Sequence, residues 1–222
     1  MTAILDHAAN ILTASQPSKF DINLVCDQIF QNGFSHISEL FPQELLVCLH
    51  KEIEQLDKNY KLQLAGIGRG DDHTIHKTIR SDKIKWIDGE TLAQVQLQER
   101  LEQLRLEINK RLMLGLFDSE SNFAVYRDGD FYKRHFDSFL GDKNRILSMV
   151  IYLNPEWELS NGGLLKVYTD DNSVDPFAEI MPVWGNVVMF LSEKIPHEVT
   201  PAKRTRYSIA TWFRCNNLNP LV

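Results

Sequence analysis

The stretch YRDGDFYKRHFD, Tyr126 to Asp137, reads as two short strands joined by a polar turn. Asn122–Tyr126 and Phe131–Asp137 carry the strand character, and Arg127-Asp128-Gly129-Asp130 supplies turn chemistry between them. Alternation along the second strand puts Phe131, Lys133, His135 and Asp137 on one face and Tyr132, Arg134 and Phe136 on the other. His135 and Asp137 then project side by side, about 7 Å apart at a rise of ~3.3 Å per residue. An imidazole and a carboxylate so placed grip one edge of a divalent metal. One further ligand from elsewhere completes a facial set that leaves three coordination positions open. A half-exposed strand with a solvated His and Asp is the plain alternative, and the rest of the chain decides between them.

Downstream of this stretch, strands follow at short intervals. Arg145–Leu153 (RILSMVIYL) is mostly apolar, as a strand buried on both faces must be. Gly163–Tyr168, Asn186–Leu191 and Arg206–Phe213 come next, separated by turn signals at Asn161-Gly162-Gly163, Asp170-Asp171-Asn172 and Trp184-Gly185-Asn186. Upstream, the period lengthens to that of helices. Residues 3–15 place Ile4, Leu5, Ala8, Ile11 and Leu12 on one side of a helix. Asp21 caps a second helix that buries Ile22, Val25 and Ile29 and stops at Gly33. Phe34–Ile37 is a short strand, and Phe41-Pro42 opens a third helix to about Lys58 with Leu46, Leu49, Ile53 and Leu56 inward. Residues 90–115 form the longest helix, striped by Leu97, Leu101, Leu104, Ile108 and Leu112. Between these helices, Tyr60–Ile87 alternates like strand around a glycine-hinged loop, GIGRGDDHTIHKTIRSD.

Helices first and many short strands afterwards predict an α+β fold, a double-stranded β-helix (jelly-roll) core buttressed by N-terminal helices. One domain over residues 1–222 is the economical division. It comprises a helical extension at 1–32, helices and supporting strands at 33–121, the jelly-roll core at 122–213 and a tail at 214–222.

With 43% hydrophobic and 24% charged residues, the chain has the composition of an ordinary globular protein. Its net charge of -6 gives no long-range attraction for nucleic acid. Three cysteines (Cys26, Cys48, Cys215) lie far apart, without a CxxC, so neither a disulfide framework nor a zinc cluster is indicated. Asp6 and His7 interrupt the N-terminal apolar run that a signal peptide needs, and no window reaches the ~18 apolar residues of a membrane span. A cytoplasmic location, no membrane partner and a monomeric state are the expectations.

Only one histidine follows the metal-ligand pair. It is His197, in KIPHEVTPAKRTRYSIATWF, and nine residues later Arg206 opens a strand. A guanidinium in the wall of a β-core needs an anionic partner, and a carboxylate suits its fork. One of the protein's own carboxylates is one candidate for that partner, and a bound ligand is the other.

The order His135-x-Asp137, His197, Arg206 resembles that of the Fe(II)- and 2-oxoglutarate-dependent oxygenases. The resemblance extends to the prolyl hydroxylases of the oxygen-sensing type and their bacterial relatives, and runs from about Gly33 to Phe213. Five blocks carry it in order: IRSDKIKWI at Ile79–Ile87, VYRDGDFYKRHFD at Val125–Asp137, RILSMVIYLNPEW at Arg145–Trp157, GGLLKVY at Gly162–Tyr168, and PHEVTPAKRTRYSIATWF at Pro196–Phe213.

The resemblance implies that His135, Asp137 and His197 hold Fe(II). It also implies that Arg206 and Tyr152 engage the distal carboxylate of 2-oxoglutarate, and that Tyr126 lies near the co-substrate's metal-chelating end. Leu165 and Val188 would line the pocket; Trp212, Arg145 and Tyr132 would contact a target proline segment. Arg80, Asp82 and Trp86 match the region where the loop rejoins the core. O2 as oxidant, ascorbate as reductant, and release of succinate and CO2 follow from the same likeness. The implied partner is a protein bearing a target proline, elongation factor Tu being the one to test first. The same chemistry on a free amino acid or small metabolite, and a non-enzymatic metal-binding β-barrel, are the competing readings. Lys133, Arg134, Lys143 and Arg145 form a basic rim that favours a peptide, or else a solvated face. Ser148 and Ala210 stand where the animal oxygen sensors have threonines, so a sensing role is not implied.

Overall fold

The computed structural model describes residues 21–66, 74, 76, 78–138 and 144–216. The helix expected at 3–15, most of the loop at 67–77, and Lys143 lie outside the described residues.

Helix α1 (Ile22–Asn32) begins where Asp21 accepts a hydrogen bond from the Asn23 N–H. It ends at Gly33, whose φ of +68° is one that side chains disfavour and whose N–H closes on the Ile29 carbonyl at 2.8 Å. Strand β1 (Phe34–Ile37) follows, then α2 (Gln43–Lys58), β2 (Gln63–Leu64), β3 (Lys83–Trp86) and α3 (Leu92–Leu112). Thr91 caps α3 by accepting from the Gln94 N–H. Gln94 is itself fully buried and accepts from the N–H groups of Asp88, Gly89 and Glu90. Eight strands complete the described chain: β4 (Leu116–Tyr126), β5 (Tyr132–His135), β6 (Arg145–Tyr152), β7 (Leu165–Val167), β8 (Ala178–Ile180), β9 (Val187–Leu191), β10 (His197–Val199) and β11 (Arg206–Cys215).

The strands form two antiparallel sheets, a larger one ordered β1-β9-β6-β11-β4-β3-β2 and a smaller one ordered β5-β10-β7-β8. Period-2 alternation in the larger sheet separates two apolar layers. Phe123 and Val125 of β4, Leu147, Met149 and Ile151 of β6, and Ile209 and Phe213 of β11 face the helices. There they meet Leu46, Leu49, Ile53, Leu97, Leu101 and Ile108, none more than 1% exposed. Each such side chain contributes roughly 1.5–3 kcal/mol by leaving water. The alternate residues Ala124, Tyr126, Tyr152, Val188 and Phe190 face Leu165, Val167, Ile180 and Val199 of the smaller sheet. Two faced sheets with helices on the outer face of one make the expected jelly roll. The strands β8 and β10 were not among those expected from sequence; each is only three residues long.

Candidate active site

The expected strand at 131–137 is shorter than its alternation suggested, and it is bulged. His135 of β5 lies opposite His197 of β10, yet Val199, two residues on, lies opposite Tyr132, three residues back. One extra residue on β5 therefore breaks the alternation and brings Tyr132 onto the same side as His135, against the opposite faces that strict alternation required. Asp137 lies two residues past the strand's end, but its carboxylate still meets both histidines.

One ligand atom from each of His135, Asp137 and His197 lies within 4.8 Å of the other two. His135 Nε2 is 3.5 Å from Asp137 Oδ1, and His197 Nε2 is 3.7 Å from Asp137 Oδ2. Ligands ~2.1 Å from one ion at right angles stand about 3 Å apart, so a small inward movement closes the set on a cation. The tautomers are fixed by hydrogen bonding. His135 Nδ1 faces the Lys133 carbonyl at 2.8 Å and His197 Nδ1 faces the Ile195 carbonyl at 3.1 Å. A carbonyl only accepts, so each Nδ1 carries the proton and each Nε2 turns a lone pair toward Asp137.

Electrostatics keep the set ready for a metal. Burial opposes ionisation of Asp137, but the charge that His197 and His135 carry when protonated, together with Arg145, outweighs it and holds the carboxyl well below the usual range. Burial, with His135 beside it, lowers His197 to about 4, so its ring is neutral at physiological pH. Ser148 Oγ donates to Asp137 Oδ2 at 2.6 Å and stands 2.8 Å from Ser192 Oγ. With its proton committed to the carboxylate, Ser148 accepts from Ser192. Ser148 was not assigned this role from sequence; the signal was a polar residue at an inward position of an otherwise apolar strand.

Arg206 is 1% exposed. Its Nε donates to the Gly163 carbonyl at 3.0 Å and its Nη1 to Ser208 Oγ at 3.1 Å, and among the described residues no carboxylate pairs with it. The rings of Tyr126 and Tyr152 lie 4.9 and 5.1 Å from the guanidinium carbon. The Tyr152 hydroxyl is fully buried and has no hydrogen-bond partner among the described residues. Burial pushes its phenol up to about 12, which keeps it a proton donor. A buried cation without a counter-ion beside an orphaned hydroxyl is what a bound carboxylate would satisfy. Of the two partners considered for Arg206, the protein's own carboxylates are thus set aside.

Arg206, Ser208, Ala210, Trp212 and Arg214 project in turn from β11 into one cavity of about 530 Å³ between the sheets. The cavity also takes in the three candidate ligands, Tyr126, Tyr132, Arg145 and Leu165. Val188, expected to line it, is fully buried and does not; its partner across the β6–β9 pair, Val150, does, as does Val199. Near Trp212, the Arg145 guanidinium lies 3.7 Å from the indole centroid and pairs with Glu120 at 2.6 Å, and Trp86 lies 6.2 Å from Trp212. Of the basic rim, Arg145 is engaged as just described, and Arg134 lies over Tyr168 and donates to the Asp171 and Ser173 carbonyls.

Comparisons with known proteins agree with this geometry. Residues 121–214 match the model of the 2OG-Fe(II) oxygenase superfamily. Mouse prolyl hydroxylase EGLN3 is 27% identical over 206 residues, covering 88% of this chain and 84% of that protein. Human Egl nine homolog 1 is 33% identical over 147 residues, which are 62% of this chain and 33% of that protein. Among solved structures, a Pseudomonas putida prolyl-4-hydroxylase superposes with a TM-score of 0.79 at 38% identity, covering 89% of this chain and all of that one. The Trichoplax adhaerens prolyl hydroxylase, solved with a peptide of the hypoxia-inducible factor oxygen degradation domain, gives 0.76 at 27% identity over 87% and 88%. The chain belongs to the 2OG-Fe(II) oxygenase superfamily, whose members use Fe(II), 2-oxoglutarate and O2, and it is an enzyme of the prolyl hydroxylase type.

Proposed function

We propose that His135, Asp137 and His197 hold Fe(II), that Arg206 and Tyr152 receive the distal carboxylate of 2-oxoglutarate, and that the enzyme hydroxylates a prolyl residue of a protein. The observation that carries this reading is Arg206, a buried guanidinium lining the same cavity as the His-Asp-His set and, among the described residues, without a carboxylate partner. When bound, the metal supplies two-electron activation of O2 at positions left open by the three protein ligands. The reaction balances as 2-oxoglutarate, O2 and a prolyl C–H giving succinate, CO2 and a prolyl C–OH, one oxygen atom passing to each organic product.

The protein's own part is orientation. The carbonyls of Lys133 and Ile195 fix the ring tautomers, Ser148 holds one oxygen of Asp137, and Gly163 and Ser208 hold the Arg206 fork. Tyr126, opposite Arg206 across the β4–β11 pair, closes the co-substrate's side of the cavity. Trp212, Arg145 and Tyr132 would contact the target segment, and the exposed Trp86 beside Trp212 would offer an apolar ring to a prolyl side chain.

A protein substrate is favoured because a related hydroxylase was solved with a peptide and because the cavity far exceeds what 2-oxoglutarate alone requires. Elongation factor Tu is the first candidate. Incubated with Fe(II), ascorbate and 2-oxoglutarate, the enzyme should add 16 Da to a prolyl peptide of that factor, with one succinate formed per hydroxylation. Turnover of free proline with none on the protein would overturn the reading.

A further inference from the structure

The role of Tyr132 is open to a sharper reading, which rests on the metal assignment above. Its ring stacks on the imidazole of His135, with centroids 3.5 Å apart and planes 14° from parallel. The Arg80 guanidinium also lies on the Tyr132 ring, 4.3 Å from its centroid. Arg80 is itself held by three hydrogen bonds. Its Nε and Nη2 pair with both oxygens of Asp82 at 2.8 and 2.6 Å, and Nη1 donates to the Gly66 carbonyl. Asp82 is completely buried.

The backbone carries the same connection. Ser81 N–H bonds to the Phe131 carbonyl, Lys133 N–H bonds to the Ile79 carbonyl, and Arg80 bridges Tyr132. The segment 79–81 thus covers the outer edge of β5, while β3, beginning two residues later, pairs with β4 of the larger sheet. One run of chain ties the two sheets together beside His135.

We propose that Arg80 and Tyr132 are positioning residues for the metal, a cation–ring–ring stack that sets the plane of the His135 imidazole. The hydrogen bond from His135 Nδ1 to Lys133 fixes one point of the ring but leaves it free to tip about that bond. A metal ligand must aim its Nε2 lone pair along the bond to the ion, and tipping costs overlap. The parallel Tyr132 face removes that freedom, and Arg80 keeps Tyr132 from turning away. The one-residue bulge in β5 is what puts the two rings on the same side.

The test is Mn(II) binding by calorimetry and the visible spectrum of the Co(II)-loaded protein, without 2-oxoglutarate or substrate. The variants are Tyr132→Phe, Tyr132→Leu and Arg80→Lys, with thermal unfolding of each metal-free protein measured alongside. Tyr132→Phe keeps the plate and should bind as the wild type does. Tyr132→Leu should weaken Mn(II) binding on the order of tenfold and alter the Co(II) bands, at an unchanged metal-free Tm. Arg80→Lys keeps the charge but loses the planar fork, and should fall between. Wild-type affinity and spectrum in Tyr132→Leu would overturn the proposal, as would equal losses in Tyr132→Phe and Tyr132→Leu. Failure of the wild type itself to bind Mn(II) would instead overturn the metal assignment.

Discussion

Gly163 shows at the scale of one residue what holds the site together. Its φ is +63°, and a Cβ there would stand 3.1 Å from Arg206 Cδ and 3.2 Å from the Trp157 ring. The missing side chain makes room for the guanidinium, and the Gly163 carbonyl then fixes Arg206 Nε. Gly163→Ala should therefore raise the 2-oxoglutarate requirement roughly tenfold or more, about 1.4 kcal/mol, by displacing Arg206 while leaving the metal ligands in place. Steady-state kinetics at varied 2-oxoglutarate measures it. Ser148→Ala should act on the other half of the site. It removes the donor to Asp137 and should cost roughly 10–100-fold in metal affinity, read by Mn(II) titration. In the sequence Gly162-Gly163 signalled only a turn, because the residue that needs the space lies forty-three positions away. That His135, Asp137 and His197 come together was expected through the family resemblance and not from spacing alone, since a His-x-Asp is often met by chance.

At the scale of elements, helices were read more faithfully than strands. The cap at Asp21 and the left-handed Gly33 bound α1 where local chemistry said they would, because both signals act within a turn of the chain. Strand β4 runs six residues further back than its readable part, from Leu116, because pairing with β11 sustains it. The alternation failed at β5, where the bulge belongs to the pairing with β10 and has no local signature. Gln94 offers a test away from the site. It gathers three backbone N–H groups before α3, and its Nε2 donates to Glu52 at 2.5 Å. Gln94→Ala should lower stability by about 1–3 kcal/mol in urea unfolding, with Mn(II) affinity unchanged. A loss of metal affinity as well would mean that the helix layer and the site are coupled.

For the whole molecule, the larger sheet places a mainly apolar layer on the helix side, with the buried Ser121–Thr211 hydrogen bond within it, and a cavity lined by polar groups on the other. Among the described residues no helix is long and apolar enough to cross a membrane. Burying ligands inside such a sandwich carries a pH signature. His197 takes up a proton near pH 6.5 in the unfolded chain but only near 4 in the folded one, so acid favours unfolding across that window. His36, lowered by burial, adds in the same direction. Asp137, held below its ordinary value, keeps its contribution above pH 3.8 and loses it only in stronger acid. The urea midpoint of the metal-free protein should fall from pH 7 to 4.5, and His197→Asn should flatten that slope; an equal slope in the variant would place the titration elsewhere. The jelly roll with its helical buttress was legible from the switch in hydrophobic period and the spacing of turns. The stacking of Arg80, Tyr132 and His135 was not, because it depends on how the two sheets meet.

The central claim is that the cavity is built to hold a metal at one end and a carboxylate on Arg206 at the other. Calorimetric titration of 2-oxoglutarate under anaerobic conditions tests it, using the metal-free protein, the Mn(II)-loaded wild type and Mn(II)-loaded Arg206→Ala. One 2-oxoglutarate should bind the metal-loaded wild type, with affinity reduced by roughly a hundredfold or more both without metal and in Arg206→Ala, since each removes a charged partner of the dianion. Equal affinity in all three samples would contradict the account.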